Sequence, residues 1–316
     1  MNESTKKLLD LINNNKTLNE ICTELNRTPK QIFNHLTMLK NKGIIFQKNY
    51  LYATGDITYS STQDFNADNK SNLIIPEKCT SIKAVAISDT HLGSYFERLD
   101  LLNEIYNYCT KNSITTIFHC GDIIDNNVNN FEKVPTEEKV EYLLKNYPYD
   151  KNVITYIVLG NHDLGPLKNQ NINLAILLEN YRHDMVQLGY MQGMIKMKKD
   201  GVTLFHSIGS KGIDEEKEPT SVYLMGHSHI YNTYNSLYRS SLKIKVPSLS
   251  NLKTSPISYP SALELELSFK DEMISFATVR QLIYNGVSFI PINEMQYSID
   301  NKEILKAKRF SKTLSK

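Results

Sequence analysis

Hydrophobic and polar positions divide the chain into stretches of different periodicity. Up to about residue 50, apolar residues recur at helical spacing. Leu8, Leu9, Leu11 and Ile12 mark one helix, LNEICTELN a second, and Ile32, Phe33, Leu36 and Leu39 of PKQIFNHLTMLKNKG a third. Ser4 is placed to cap the first. Thr17 with Glu20 has capping-box spacing for the second, and Thr28 and Pro29 open the third, which Gly43 closes. IIFQKNYLYATGDITY has the β-branched and aromatic character of a small hairpin. The polar, aperiodic stretch that follows reads as a linker, residues 59–78. Beyond it, the apolar runs IKAVAI, ITTIF, VITYIV, VTLF and SVYLM read as buried strands. FERLDLLNEIYNYCTKN, PTEEKVEYLLKNY and INLAILLENYRHD read as helices between them. From Ser241 to about Ile299 the segments SLKIKVPS, ALELELSF, MISFATVR and VSFIPI alternate and are expected to build a second sheet. The pattern predicts an α/β fold, two packed sheets with helix layers outside.

Composition narrows the function classes. Of 316 residues, 41% are hydrophobic and 22% charged, a balance that excludes wholesale disorder. Lys and Arg number 36 against 34 Asp and Glu, so any nucleic-acid contact must come from a local patch rather than a uniformly basic surface. Cys22, Cys79, Cys109 and Cys120 form no CxxC pair, which fits a reducing compartment and excludes a disulfide framework or a zinc ribbon. MNESTKKLLDLINNN lacks the apolar core of a signal peptide, and no apolar run approaches the roughly 18 residues of a membrane span. The expectation is a soluble cytoplasmic protein without membrane contact.

Residues 1–58, three short helices and a hairpin, resemble a winged helix-turn-helix domain. The resemblance implies that Arg27, Lys30, Gln31, Asn34 and His35 line the outward face of the third helix, with Lys48 on the wing, all able to reach phosphates or base edges. Over residues 1–60 there are 8 Lys and Arg against 5 Asp and Glu, a balance that permits nucleic-acid binding without demanding it. Such units also serve docking and dimerisation, so a homodimer stays open. Residues 301–316 add a basic tail that could track a nucleic-acid backbone.

Each of the five apolar runs ends in residues suited to metal: Ser-Asp89-Thr-His91, Gly-Asp122-Ile-Ile-Asp125, Gly-Asn161-His162-Asp163, His206, and Gly-His227-Ser-His229. Carboxyl ends of strands are where ligands collect in α/β sheets. Five of the eight histidines fall in these segments. Carboxylates and an amide mixed with imidazoles, without thiolate, suit Mn²⁺, Fe or Zn²⁺.

This ordered series, D-x-H, G-D-x-x-D, G-N-H-D, H and G-H-x-H, is similar to the motif set of the calcineurin-like metallophosphoesterases. The resemblance spans roughly residues 82–265 and implies a two-sheet αββα sandwich, here over residues 79–300. It further implies two divalent metal ions, manganese first among them. Asp89, His91, Asp122 and His229 would hold one ion, and Asp122, Asn161, His206 and His227 the other, with Asp122 bridging. His162 would protonate the departing oxygen as general acid, with Asp125 accepting a hydrogen bond from it and raising its pKa. The implied reaction is hydrolysis of a phosphate ester by direct attack of water. The SDTHLG form of the first motif looks like that of SbcD-type DNA repair nucleases and of lipid-precursor pyrophosphatases. Those nucleases often carry His where Asp125 stands. Asn126 occupies the place where Ser/Thr phosphatases of the superfamily carry Arg, which counts against that group. Three functions follow: a nuclease or phosphodiesterase on DNA or RNA, a small-substrate hydrolase whose winged helix only docks, or a non-catalytic DNA-binding regulator.

The remaining polar residues have ordinary readings. Asp163, like Asp125, is expected either as a helix cap or as a residue that supports the site, His119 as a buried core histidine, and Cys120 as small-residue packing. His35 and His183 lie in helical patterns, as surface residues.

Overall fold

The computed structural model describes residues 3–52, 54–62, 70–125, 133–206, 220–236, 241–252 and 259–299; the expected tail, 301–316, lies outside them. Helices α1 (Glu3–Asn13), α2 (Leu18–Leu25) and α3 (Pro29–Lys40) come first, followed by β1 (Ile45–Leu51) and β2 (Ile57–Thr62), which pair antiparallel. Thr17 and Thr28 both form capping boxes, with Glu20 and Gln31, which supply partners for the otherwise unpaired N–H groups of α2 and α3. Ser4 lies inside α1 rather than at its cap, and accepts a hydrogen bond from Arg27.

Two sheets follow. One has seven strands in the order β15-β14-β13-β4-β5-β6-β7, the other eight in the order β11-β12-β10-β9-β8-β3-β1-β2. The first comprises β4 (Ser81–Ile87), β5 (Thr116–His119), β6 (Ile154–Leu159) and β7 (Met185–Tyr190), mutually parallel, extended by β13 (Ser261–Lys270), β14 (Met273–Tyr284) and β15 (Phe289–Ser298). The second combines β1 and β2 with β3 (Lys70–Ile74), β8 (Gln192–Met197), β9 (Asp200–Phe205), β10 (Val222–Met225), β11 (Asn232–Ser236) and β12 (Ser241–Lys245). Ala84, Ala86, Phe118, Tyr156 and Val158 pack between the sheets with Val202, Leu204, Val222, Leu224 and Ile244. Their neighbours Val85, Ile87, Ile117, Ile157 and Leu159 point the other way, onto α4 (Leu99–Lys111), α5 (Lys139–Asn146) and α7 (Leu174–Tyr181). Both faces are covered, which is why these strands read as unbroken apolar runs. A short α6 (Gly165–Gln170) precedes α7. No helix among the described residues is long and apolar enough to cross a membrane.

Two expectations change. The stretch read as a linker carries strand: Tyr59–Thr62 completes β2, and β3 lies parallel between β1 and β8. Its polar composition concealed this, because the ladder is made by backbone groups and β3 with the residue after it sends only Leu73 and Ile75 into the inter-sheet core. The last third also does not form a sheet of its own. β12 joins the eight-stranded sheet, whereas β13 pairs antiparallel with β4, Leu263 opposite Ala86, and carries β14 and β15 with it. Alternation marks a half-buried strand and says nothing of its hydrogen-bond partner.

The N-terminal hairpin therefore has a foot in each of two cores. Tyr59 closes the cluster of Leu8, Ile12, Ile21, Ile32, Leu36 and Leu39, while Tyr50 enters the inter-sheet core and meets Tyr156 edge-on, ring centroids 5.5 Å apart. Tyr50→Ala should cost about 3–5 kcal/mol. Thermal unfolding of the wild type, followed by circular dichroism, should show one transition for the whole chain; separate melting of the N-terminal helices would contradict the shared sheet.

Candidate metal centre

The segments that follow β4, β5, β6, β9 and β10 meet at one end of the sandwich. Asp89, His91 and His229 form one group, and Asp122, His206 and His227 another, each able to offer ligand atoms within 4.8 Å of one another. His91, Asp122 and His162 form a third such group that links the two. Asn161 Oδ1 lies 3.2 Å from His206 Nε2, which adds it to the second group.

The hydrogen bonds aim lone pairs at these centres. His206 Nδ1–H donates to the Cys120 carbonyl at 2.7 Å and His229 Nδ1–H to the Leu252 carbonyl at 3.0 Å, so both rings turn Nε2 inward. His206 Nε2 stands 2.9 Å from Asp122 Oδ2, and His229 Nε2 stands 3.4 Å from His91 Nε2 and 3.3 Å from Asp89 Oδ1. Asp89 Oδ1 is buried without a hydrogen-bond partner. A carboxylate oxygen with no donor and imidazole nitrogens facing one another suit a divalent cation, which accepts all of them together. The residues present fit a metal. Their electrostatics agree: burial works to raise the Asp89 carboxyl, but the imidazoles of His229, His206 and His91 hold it low. Burial lowers His206, yet its hydrogen bond to Asp122 and the charges of Asp122 and Asp89 outweigh this and raise it to about 9.

Five of the proposed ligands occupy the left-handed backbone region: Asp89 (φ +53°), His91 (+44°), Asp122 (+53°), His227 (+73°) and His229 (+59°). Each costs roughly 1 kcal/mol or more in a residue with a Cβ. Interlocked loops hold them there. Asp89 N–H donates to the Gly121 carbonyl, His91 N–H to Asp122, Leu92 N–H to Ile123, and the Ser248 hydroxyl to Asp89. His227 N–H donates to Asp89 Oδ2 at 3.0 Å. Two glycines allow the close approach. A Cβ on Gly160 would lie 2.2 Å from Asp122 Oδ1, and one on Gly226 2.2 Å from Ser88 Oγ.

Around this shell, Asp125 sits between two imidazoles, Oδ1 at 3.1 Å from His162 Nδ1 and 3.6 Å from His91 Nδ1. His162 N–H donates to Asp122 Oδ1 at 2.8 Å. Burial lowers His162, but the contact with Asp125 and the charges of Asp122, Asp125 and Asp163 leave it raised. His119 is fully buried: Nδ1 accepts from Gly121 N–H, so Nε2–H faces Thr90, whose hydroxyl donates to the Ile123 carbonyl. Burial pushes it down to about 3, and it remains a neutral connector.

Asp163 does not cap a helix. Its buried carboxylate accepts N–H bonds from Ile123, Ile124 and Gly160, which staples the loop bearing Asp122 to the loop bearing Asn161. Burial and the Asp122 charge raise it to about 7 against those three donors. Nothing in the sequence separated this Asp from a cap. Ser248 and the Leu252 carbonyl, which support Asp89 and His229, carried no motif at all.

The expected nucleic-acid residues divide. Lys30, Gln31 and Asn34 are exposed on α3, although the Gln31 side chain completes the Thr28 capping box and Lys30 Nζ lies 5.8 Å from the Tyr181 ring. Arg27 does not line the outward face: its guanidinium donates to Ser4 and to His35 Nδ1. His35 is not a surface residue, since it is buried between Arg27 and Thr5. Lys48 pairs with Glu179 at 2.9 Å and lies over the Phe33 ring. His183 is half-buried against Phe33, ring centroids 4.6 Å apart. Side chains 131 residues apart in sequence make the Lys48 contact, beyond the reach of local pattern. Asn126 lies outside the described residues.

The family model for calcineurin-like phosphoesterases matches residues 82–246. The chain belongs to the calcineurin-like phosphoesterase family, a class of metal-dependent hydrolases. No curated protein matches it. Among solved structures, Vacuolar Protein Sorting 29 from Cryptosporidium parvum is similar at 12% identity and TM-score 0.45, over 70% of this chain and 100% of that one. A predicted phosphoesterase from Streptococcus pneumoniae is similar at 14% identity and TM-score 0.40, over 70% and 99%. A nuclease from Pseudomonas putida shares 16% identity at TM-score 0.31, over 57% and 83%. Likenesses at these TM-scores say nothing about this chain's substrate.

Asp163→Asn places an amide N–H₂ among three backbone N–H donors and should loosen both loops. Metal affinity, measured by titration calorimetry with Mn²⁺, should fall roughly 10–100-fold, the usual worth of a group that orients ligands. Unchanged affinity would show that the staple does not position the ligands.

Proposed function

We propose that the protein hydrolyses phosphodiester bonds with two divalent ions, manganese the first to test. Asp89, His91, Asp122 and His229 would hold one, and Asp122, Asn161, His206 and His227 the other. The observation that carries this reading is the placement of Asp122, whose carboxylate belongs both to the group with His206 and His227 and to the group with His91 and His162. When bound, such ions supply charge that neutralises phosphoryl oxygens and brings the pKa of water towards neutrality.

The chain's own residues do the rest. His162 turns Nδ1 towards Asp125 and Nε2 towards the cluster, 4.0 Å from Asp122 Oδ2, with 25% of its side chain exposed. A leaving oxygen can reach it, and its raised pKa favours the protonated form that a general acid needs. Asp125 fixes the ring and stabilises its charge. Buried Asp163 and His119 hold the loops.

Nucleic acid is the proposed substrate, supported by the exposed Lys30, Gln31 and Asn34 of α3, under the winged-helix reading of residues 1–58. A second reading has a specific observation in its favour. Phe33 on His183, Lys48 on Glu179 and the β1–β3 pairing build the N-terminal unit into the fold, as a docking module for a small-substrate hydrolase would be.

A substrate panel with Mn²⁺ tests both: bis-p-nitrophenyl phosphate, p-nitrophenyl phosphate, cyclic AMP, and labelled single- and double-stranded DNA. Phosphodiester turnover that chelation abolishes is expected; a preference for the monoester would overturn the diesterase reading. His162→Ala should keep metal content while turnover falls roughly 10²–10⁴-fold on DNA, and less on nitrophenyl esters, whose leaving group needs little protonation. An equal loss on both would remove His162 from the general-acid role.

For the substrate class, Lys30→Glu with Asn34→Glu should weaken DNA binding and flatten its dependence on salt, as phosphate contacts exchange with counterions. These exposed positions are the appropriate probe, because deleting residues 1–58 would also remove β1 and Tyr50 from the core. DNA cleavage indifferent to the double substitution would favour the docking module.

A further inference from the structure

Among the described residues, four tyrosines are more than 60% exposed: Tyr95 and Tyr149 at 69%, Tyr181 and Tyr259 at 61%. Their places in the fold differ. Tyr149 precedes β6 and Tyr181 precedes β7, at the end of the sheet away from the metal ligands. Tyr95 follows β4, four positions after His91, and Tyr259 lies just before β13, which runs antiparallel to β4 and so starts at the ligand end.

Both tyrosines stand on backbone tied to the centre. Ser94 is buried, and its N–H and hydroxyl both donate to the His91 carbonyl; Phe96 N–H then donates to Ser94 Oγ. Asn251 N–H donates to the Phe96 carbonyl, which joins this loop to the segment whose Leu252 carbonyl orients His229. Ser261 beside Tyr259 donates to Ser248, the residue that holds the Asp89 carbonyl. Tyr95 is thus an aromatic ring left in water on a backbone fixed from both sides, beside a centre built for a phosphoester.

A phosphodiester brings two organic groups with it, and those on a nucleotide are a sugar and a flat base. We infer that Tyr95, with Tyr259 on the neighbouring loop, is the stacking platform for the nucleobase flanking the scissile phosphate. Every base has a π-face, so such a platform selects nucleotidic over aliphatic esters without selecting sequence. Stacking adds to ester binding whether the nucleotide is free or within a strand. This inference rests on the phosphodiesterase reading above and names the group that its substrate carries.

The test compares thymidine 5′-(p-nitrophenyl phosphate) with methyl p-nitrophenyl phosphate, which share a leaving group and differ in carrying a nucleoside, sugar and base, or a methyl group; the Tyr95 variants below separate the base from the sugar. In the Mn²⁺-loaded full chain, Tyr95→Ala should reduce the preference for the thymidine ester roughly tenfold, through KM. Tyr95→Phe should retain the preference and Tyr95→Leu should lose it, because the π-face and not bulk is at issue. Binding of a short thymidine oligonucleotide to the same proteins, by fluorescence anisotropy, should weaken in parallel. All three substitutions are at an exposed side chain, so circular dichroism should match the wild type. A preference unchanged in Tyr95→Ala, or an equal loss on both esters, overturns the platform while leaving the phosphodiesterase reading intact. A wild type that hydrolyses neither ester overturns that reading and the platform with it.

Discussion

The Asp122 carboxylate is the constraint on which the rest of the molecule depends. One oxygen accepts the His162 N–H at 2.8 Å, and the other faces His206 Nε2 at 2.9 Å. To place it there, the backbone adopts φ +53° directly after Gly121, and Gly160 gives up any side chain because a Cβ would overlap Oδ1. A buried carboxylate is costly unless its charge is met, and here imidazoles from four other segments, His91, His162, His206 and His227, gather around it, with His206 the leading partner. The two-sheet core exists in a form that brings those segments to a common point.

That convergence explains the local expense. Left-handed aspartates and histidines are unfavourable one by one, yet backbone bonds between the β4 and β5 loops, the Ser248 hydroxyl and the Asp163 staple over-determine their positions. Strain of this kind persists where surrounding structure enforces it, and it gathers at functional sites. His119 and Asp163 belong to this scaffold: one is a neutral buried link, the other a staple, and neither faces the centre with a free group.

The N-terminal unit follows the same logic at larger scale. Its hairpin extends the eight-stranded sheet, and its residues divide between its own helical core and the inter-sheet core. Phe33, Lys48 and Lys30 meet His183, Glu179 and Tyr181 around α7 and the approach to β7. Part of the α3 surface is thereby committed to the fold, and what remains for a partner is the exposed portion around Lys30, Gln31 and Asn34.

The order of the ligand motifs, the apolar runs and the capped helices were legible in the sequence because each is a local property. A strand buried on both faces reads as an apolar run, a capping box spans four residues, and ligands sit where strands end. What sequence could not carry was pairing. Whether β13 lies beside β4 or in another sheet, whether residues 70–74 make a linker or a strand, and whether Arg27 faces solvent or His35 depend on partners far along the chain. Asp163 illustrates the limit: as a letter after Asn161-His162 it read equally as a helix cap or as a support of the site, and only folding brought Ile123 and Ile124 within reach of its carboxylate. Local periodicity determines which elements form, and long-range hydrogen bonds and burial, which no short window contains, decide what each element touches.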